Sequence, residues 1–211
     1  MSFVAALEID QPISREWQAH QLVVMKHLVR YSTINPLGGK IDIFPTGPNI
    51  DDVCGWDNVL CLGQAVIQIE WKKLYAAILD ARWLPSHIVT VNFFLQKMNG
   101  PLETPYLPRS VMVITMDFCA IPGEVDLTKL PLKIRFFKLS RNFLTGNVSL
   151  LYLPESLRLL DLSGNKISKV YGVEGCLPAA MEHAKFQSPK VQAKYHALDG
   201  SEKDPRIQGV S

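Results

Sequence analysis

Residues 140–169 read SRNFLTGNVSLLYLPESLRLLDLSGNKISK. Towards the end of this run Leu157, Leu160, Leu162, Asn165 and Ile167 stand in the order LxxLxLxxNxI. Ile134, Phe137, Leu139, Asn142 and Leu144 give the same spacing one period earlier. Alternate residues of a strand face opposite sides, so the LxL pair points inward and its neighbours point outward. One such unit cannot bury its inner side alone and must stack on the next. The asparagine falls where the strand ends, placed to bond backbone groups that the turn leaves unpaired.

The dipeptide Leu-Pro gives an independent measure of the period. It recurs as Leu84-Pro85, Leu107-Pro108, Leu130-Pro131 and Leu153-Pro154, each 23 residues after the last, and Leu177-Pro178 follows after 24. Proline lacks an N–H and fixes φ, so it suits the irregular return segment of a coil better than a hydrogen-bonded strand.

Further copies extend in both directions. Val111, Ile114, Met116, Cys119 and Ile121 carry cysteine at the corner, and Ile88, Val91, Phe93, Gln96 and Met98 carry glutamine. Val66, Ile69, Trp71 and Leu74 form a shorter copy, and Met181, Ala184, Phe186 and Val191 keep the spacing with Pro189 where asparagine belongs. The two ends read as degenerate coils that shield the terminal faces of a stack.

These motifs resemble the leucine-rich repeat, whose consensus LxxLxLxxN/CxL marks a short strand followed by a turn. Two details resemble the plant type. Asn142-Phe143-Leu144-Thr145-Gly146-Asn147-Val148 and Met98-Asn99-Gly100-Pro101-Leu102 match an NxLxGxI element, and Ile121-Pro122-Gly123-Glu124-Val125 matches its second half. Lys169 takes the glycine place in the last full coil, so the bend is expected to differ there. Ahead of the repeats, Cys54, Trp56, Val59 and Cys61 stand as CxWxxVxC, similar to the N-terminal cap of plant-type leucine-rich-repeat proteins, with Asn58 in place of the usual glycine.

The resemblance implies an α/β solenoid, a short, curved right-handed superhelix. A parallel sheet would line its concave face, irregular or short-strand segments its convex side, and a helical cap would precede it. Residues 1–65 would form that cap, 66–191 about five repeats plus a degenerate terminal coil, and 192–211 a polar tail without apolar periodicity. It also implies a Cys54–Cys61 disulfide where the chain meets an oxidising compartment. In a reducing compartment the same pair stays as two partly buried thiols.

Elsewhere the signals are local. Trp17, Val24, Met25, Leu28 and Val29 recur at helical spacing between Gln11 and Ser32, with Pro12 suited to a first turn. Asn35-Pro36, Leu37-Gly38-Gly39 and residues 45–52 (PTGPNIDD) mark loops around an alternating Lys40–Phe44 strand. His20 and His27 lie seven apart with no third ligand nearby, and the spacing of Cys119 and Cys176 does not resemble paired zinc hooks. No cofactor or metal is expected.

The chain of 211 residues is 47% apolar and 20% charged, with a net charge of +2, which gives no excess pointing to nucleic acid. The first residues lack the charge and apolar run of a signal peptide, and no window reaches the apolar length of a spanning helix. Location stays open. The cysteine cap and the sequon Asn147-Val148-Ser149 favour an extracellular or cell-surface module, and the N-terminus as it stands favours an intracellular one.

Catalytic motifs are absent: there is no GxSxG, GxxxxGK, HExxH or GxGxxG, and the five histidines are scattered. A non-enzyme is expected. Stacked strands would instead bring outward residues into columns. Glu70, Asn92, Thr115, Lys138 and Asp161 make one column, and Lys72, Phe94, Asp117, Ser140 and Ser163 the next. Phe94, Leu95, Phe118 and Phe136 are predicted to face outward, with Arg135, Lys138, Arg141 and Arg158 as a basic margin. An apolar centre with a charged rim suits a protein interface. The resemblance to leucine-rich-repeat proteins implies noncatalytic recognition of a protein partner on the concave face. The alternatives are a scaffold subunit of a large intracellular, even ribonucleoprotein, assembly, or a regulatory part of a larger enzyme.

Overall fold

The structure is a computed structural model and describes residues 14–31, 49, 51–72 and 77–211. Pro12, the expected strand Lys40–Phe44 and Leu74 lie outside the described residues.

The repeating apolar pairs build one eight-stranded sheet, in which seven strands run parallel and the first is antiparallel. From Ala65–Lys72 the order passes through Thr90–Phe94, Val113–Asp117, Phe136–Lys138, Leu159–Asp161 and His183–Lys185 to Ile207–Gln208. Register follows the sequence period: Thr90 aligns with Val113, Val113 with Phe136, Phe136 with Leu159, and Leu159 with His183. The inward residues of successive rungs therefore lie side by side. Met116, Leu139 and Leu162 are all fully buried, as are Phe93, Ile114, Phe137 and Leu160.

Corner residues satisfy the backbone where strands end. The Asn142 side-chain oxygen accepts from the Cys119 and Ile121 N–H groups at 2.8 and 3.1 Å. Its amide nitrogen donates to the carbonyls of Met116 and Leu139 at 2.7 and 2.9 Å. Asn165 repeats the pattern one coil on, accepting from Leu144 N–H and donating to the Leu139 and Leu162 carbonyls. Gln96 donates to the carbonyls of Trp71 and Phe94. At Cys119 burial pushes the thiol pKa up to about 11. It stays protonated and donates to the Phe93 and Asp117 carbonyls.

On the return side, short 3-10 turns end at Leu84, Leu107 and Leu130, each followed by proline. These leucines, with Leu153 and Leu177, are buried and fill the core from behind. Asp80 and Asp126 cap their turns by accepting from the N–H groups of Arg82 and Thr128. Asp80 is itself buried, ion-paired to Arg82 at 2.8 Å and hydrogen-bonded by Asn99. The Arg82 guanidinium beside it holds its carboxyl down to about 2.

Glycine bends lead from the main sheet to a second set of short strands. Gly123 and Gly146 have φ of +80° and +78°, a region open to glycine. Beyond them Asn147–Ser149, Lys169–Gly172 and Lys194–Ala197 form a parallel three-stranded sheet. Lys169 does not occupy the bend. Ser168 N–H bonds the Gly146 carbonyl, and Lys169 pairs with Asn147 as the start of a strand.

Both ends of the chain differ from the sequence expectation. The helix spans Arg15–Leu28, capped by Ser14, whose hydroxyl accepts from Trp17 N–H at 3.2 Å. It stops before Ser32 because Val29 turns extended and enters an antiparallel pair with Ala77–Leu79. The helix is tied to the first coil by buried Gln21, which donates to the Gln64 carbonyl and accepts from Val66 N–H. Residues 192–211, expected as a tail, fold back as a further coil. Lys194–Ala197 joins the second sheet, Ile207–Gln208 joins the main one, and Ala193, Ile207 and Val210 are buried. Tyr195 packs against the same core, partly buried.

Cys54 and Cys61 are joined in a disulfide, with Trp56 buried between them in sequence. The Cys61 strand, Val59–Leu62, is the antiparallel first strand of the main sheet.

Candidate functional site

Outward residues of the main sheet form the expected columns. Glu70, Asn92, Thr115, Lys138, Asp161 and Lys185 stand in register. Beside them, Lys72 aligns with Phe94 and Phe94 with Asp117. Two acids on this face are tied to serines. Asp117 Oδ1 accepts from the N–H and hydroxyl of Ser140, and Asp161 Oδ1 accepts from those of Ser163.

The register divides the aromatic residues into two groups. Phe136 shares a column with Val113 and Leu159, at the end where the chain enters the strands. Arg135 and Arg158 each lie one residue before that column. Phe94 stands four residues further along its strand, roughly 13 Å away at the usual rise. Phe94 and Phe118 meet edge to face, with ring centroids 5.5 Å apart. The Arg141 guanidinium lies over the Phe118 ring, 5.0 Å from its centroid. Leu95 is 40% exposed and Phe118 38%. The structure thus gathers Phe94, Leu95, Phe118 and Arg141 at the exit end, leaves Phe136 with Arg135 and Arg158 at the opposite end, and sets Lys138 between.

The exit-end group owes its direction to a backbone feature. Leu95, Phe118 and Arg141 are left-handed, with φ of +55°, +57° and +54°, and Gly164 continues the column at +72°. Each of these residues precedes a corner residue, so the turn swings its side chain sideways off the sheet. A left-handed non-glycine residue costs roughly 1–2 kcal/mol. The corner network holds each turn: the Asn142 oxygen accepts from Cys119 N–H directly after Phe118, and Leu95 and Phe118 N–H bond the next coil's Asp117 and Ser140 carbonyls.

Beside this column runs a groove of about 780 Å³. Phe118, Arg141 and Phe143 form one wall, and Ser163, Gly164 and the Gln187–Pro189 segment the rest. Gly164 keeps the wall open, because a Cβ there would stand 2.8 Å from Arg141 Cγ and 3.2 Å from its Cα and N. Phe143 is 54% exposed, and the Lys166 ammonium lies 5.6 Å from its ring centroid. The sequence reading missed Phe143 and the groove. Gly164, in the column after three bulky residues, was the available signal.

Asn147 is exposed at the start of the strand Asn147–Ser149 on the second sheet. His27 stacks on Trp83 at 4.5 Å, and Trp17 meets His87 at 4.9 Å, so these histidines seat the helix against the return side. Among the described residues no helix is long and apolar enough to cross a membrane.

No family model matches the sequence, and no curated protein matches it. Among solved structures, the crystal structure of a pollen receptor kinase 3 aligns with a TM-score of 0.58 at 15% identity, covering 90% of this chain and 95% of that one. The BIR3–SERK2 complex from Arabidopsis thaliana aligns with a TM-score of 0.49 at 16% identity, covering 76% of this chain and 85% of that one. The first likeness is one of fold: the chain is a leucine-rich-repeat-like solenoid.

Proposed function

We propose that the chain is a noncatalytic protein-recognition module, binding a partner across the concave, strand-lined face of the solenoid. The observation that carries this is the exit-end group, where Phe94, Leu95 and Phe118 remain exposed or half-buried beside Arg141 on a rigid sheet. Phe94 ends a hydrogen-bonded strand and Phe118 sits in a turn bonded to the next coil, so both rings bind with little loss of conformational freedom. Phe136, Arg135, Lys138 and Arg158 would serve as a second set of contacts further along the same face.

A plant-type leucine-rich-repeat assignment and an oxidising, extracellular setting belong to the same proposal. They are supported by the CxWxxVxC spacing, the Cys54–Cys61 bond and exposed Asn147 in its sequon. The domain division would then be a helical cap over 1–65 and repeats from 66 onward. An intracellular scaffold is the less favoured reading, because a disulfide does not persist in reducing compartments.

The test is native purification followed by exchange of single residues. Phe94→Ala and Phe118→Ala, each folded, should lose the recovered protein partner by tenfold or more. Unchanged recovery in both would reject the face, and mass spectrometry of the same material reads the disulfide and any glycan on Asn147.

A further inference from the structure

We infer that the groove beside Phe118 and Arg141 receives an extended peptide segment of the partner through an acidic side chain flanked by an apolar one. This deepens the proposed recognition function and rests on it for the presence of a peptide partner, but it adds the adjoining groove, which shares Phe118 and Arg141 with that face, and a definite chemistry.

Charge comes first. The groove walls carry Arg141 and, on their margin, Lys166, and no aspartate or glutamate among the described residues lines them. Arg141 is exposed and makes no ion pair among the described residues. The face carboxylates Asp117 and Asp161 keep their charge but lie outside the lining, each with Oδ1 turned to a serine, Ser140 or Ser163. A cation without a partner beside a concave surface favours an anion there.

The way Arg141 is held narrows the class. A guanidinium resting on an aromatic face loses little of its edge, and its planar fork of N–H donors matches a carboxylate with two parallel bonds. Phe118 supplies that rest at 5.0 Å. The left-handed backbone of Arg141 aims the arm off the sheet, and the missing side chain of Gly164 leaves room for it to lie over Phe118. Charge-assisted bonds to a preorganised donor are the strong class.

The remaining lining fits a chain more than an isolated ion. Exposed Phe143 offers an apolar wall next to Arg141, and the exposed Gln187 side chain offers an amide for peptide groups. A volume of about 780 Å³ suits several residues of extended chain, and pockets of this order bind ligands well above ion size. One arginine and one marginal lysine suit a single carboxylate better than a polyanion, and the net charge of +2 adds no broad field for nucleic acid.

The experiment uses the full chain and a library of octapeptides, acetylated and amidated so that only side chains carry charge. Selection should enrich aspartate or glutamate at one position with phenylalanine, leucine or tryptophan adjacent. Arg141→Met should then weaken the selected peptide about tenfold and flatten its salt dependence, Arg141→Lys should fall between, and Arg109→Met, at an exposed position on the return side, should stay within twofold. Enrichment of neutral or basic peptides, no enrichment, or equal binding by a folded Arg141→Met protein would each overturn the inference. The two proposals fail separately. If Phe94→Ala releases the native partner and Arg141→Met does not, the face stands and the groove falls. If acidic octapeptides need Arg141 and Phe118 while the native partner ignores Phe94 and Leu95, the groove stands and the face falls.

Discussion

Asn142→Ala should be among the most damaging single changes in the solenoid. The side chain is 3% exposed, and its oxygen is the acceptor for two buried N–H groups, those of Cys119 and Ile121. Alanine leaves both without a partner where water does not reach. An unsatisfied buried donor costs about 1–3 kcal/mol, so the loss should total roughly 2–6 kcal/mol. That is a large part of the usual stability of a domain. Urea unfolding followed by circular dichroism reads it as a lowered midpoint with an unchanged slope. The coil before it supplies a control, because Cys119 occupies the equivalent corner and is fully buried. Asn142→Cys should therefore fall between the parent and the alanine variant. A loss below 1 kcal/mol for Asn142→Ala, or a cysteine variant as unstable as alanine, would refute the claim that corner acceptors hold the coils together.

Four further outcomes follow from the structure. Replacing Cys54 and Cys61 together by serine should lower unfolding stability by about 2 kcal/mol, since the crosslink closes a short loop, and an unchanged urea midpoint would contradict this. Asp80 has a carboxyl pKa held below its unfolded value, so its contribution is present above about pH 4 and is lost as pH falls towards 2. Discounted for the half-exposed Arg82, that is on the order of 1–2 kcal/mol, and acid titration of Asp80→Asn should lack this portion of the pH dependence. Gly164→Ala places a Cβ against Arg141 in a left-handed backbone and should cost roughly 1–2 kcal/mol by thermal unfolding. Gln21→Ala strands Val66 N–H and should cost about 1–3 kcal/mol, read as earlier exchange of the helix amides in hydrogen exchange.

What could be read from the sequence was whatever repeats. The columns through Lys138 and Asp161, the inward triplet Met116, Leu139 and Leu162, and the corner role of Asn142 each follow from a period of 23 applied to a strand that alternates. The proximity of Phe94 to Phe118 follows as well. Features set by a single coil did not follow. Leu95, Phe118 and Arg141 carry no local mark of a left-handed turn, because bonds from the corner and the next coil impose it against their own preference. Phe136 was grouped with Phe94 because both face outward, although the period already sets them four residues apart along the strands. The coil over 192–211 was hidden because its buried apolar residues, Ala193, Ile207 and Val210, are spaced too irregularly to register as a repeat. Val29 extends the apolar helical pattern, and only its pairing with Leu79 turns it into a strand.

The antiparallel pair at the start of the main sheet gives the molecule a direction. Val59–Leu62 occupies the outer backbone groups of Ala65–Lys72, with an irregularity between Leu60 and Cys61 and the disulfide anchoring that strand. A foreign strand approaching from this side finds a bent, crosslinked border with little straight backbone to copy. At the far border the strand Ile207–Gln208 is two residues long and followed by Gly209 at φ +76°. Neither Val59–Leu62 nor Ile207–Gln208 is the long flat ladder on which chains polymerise.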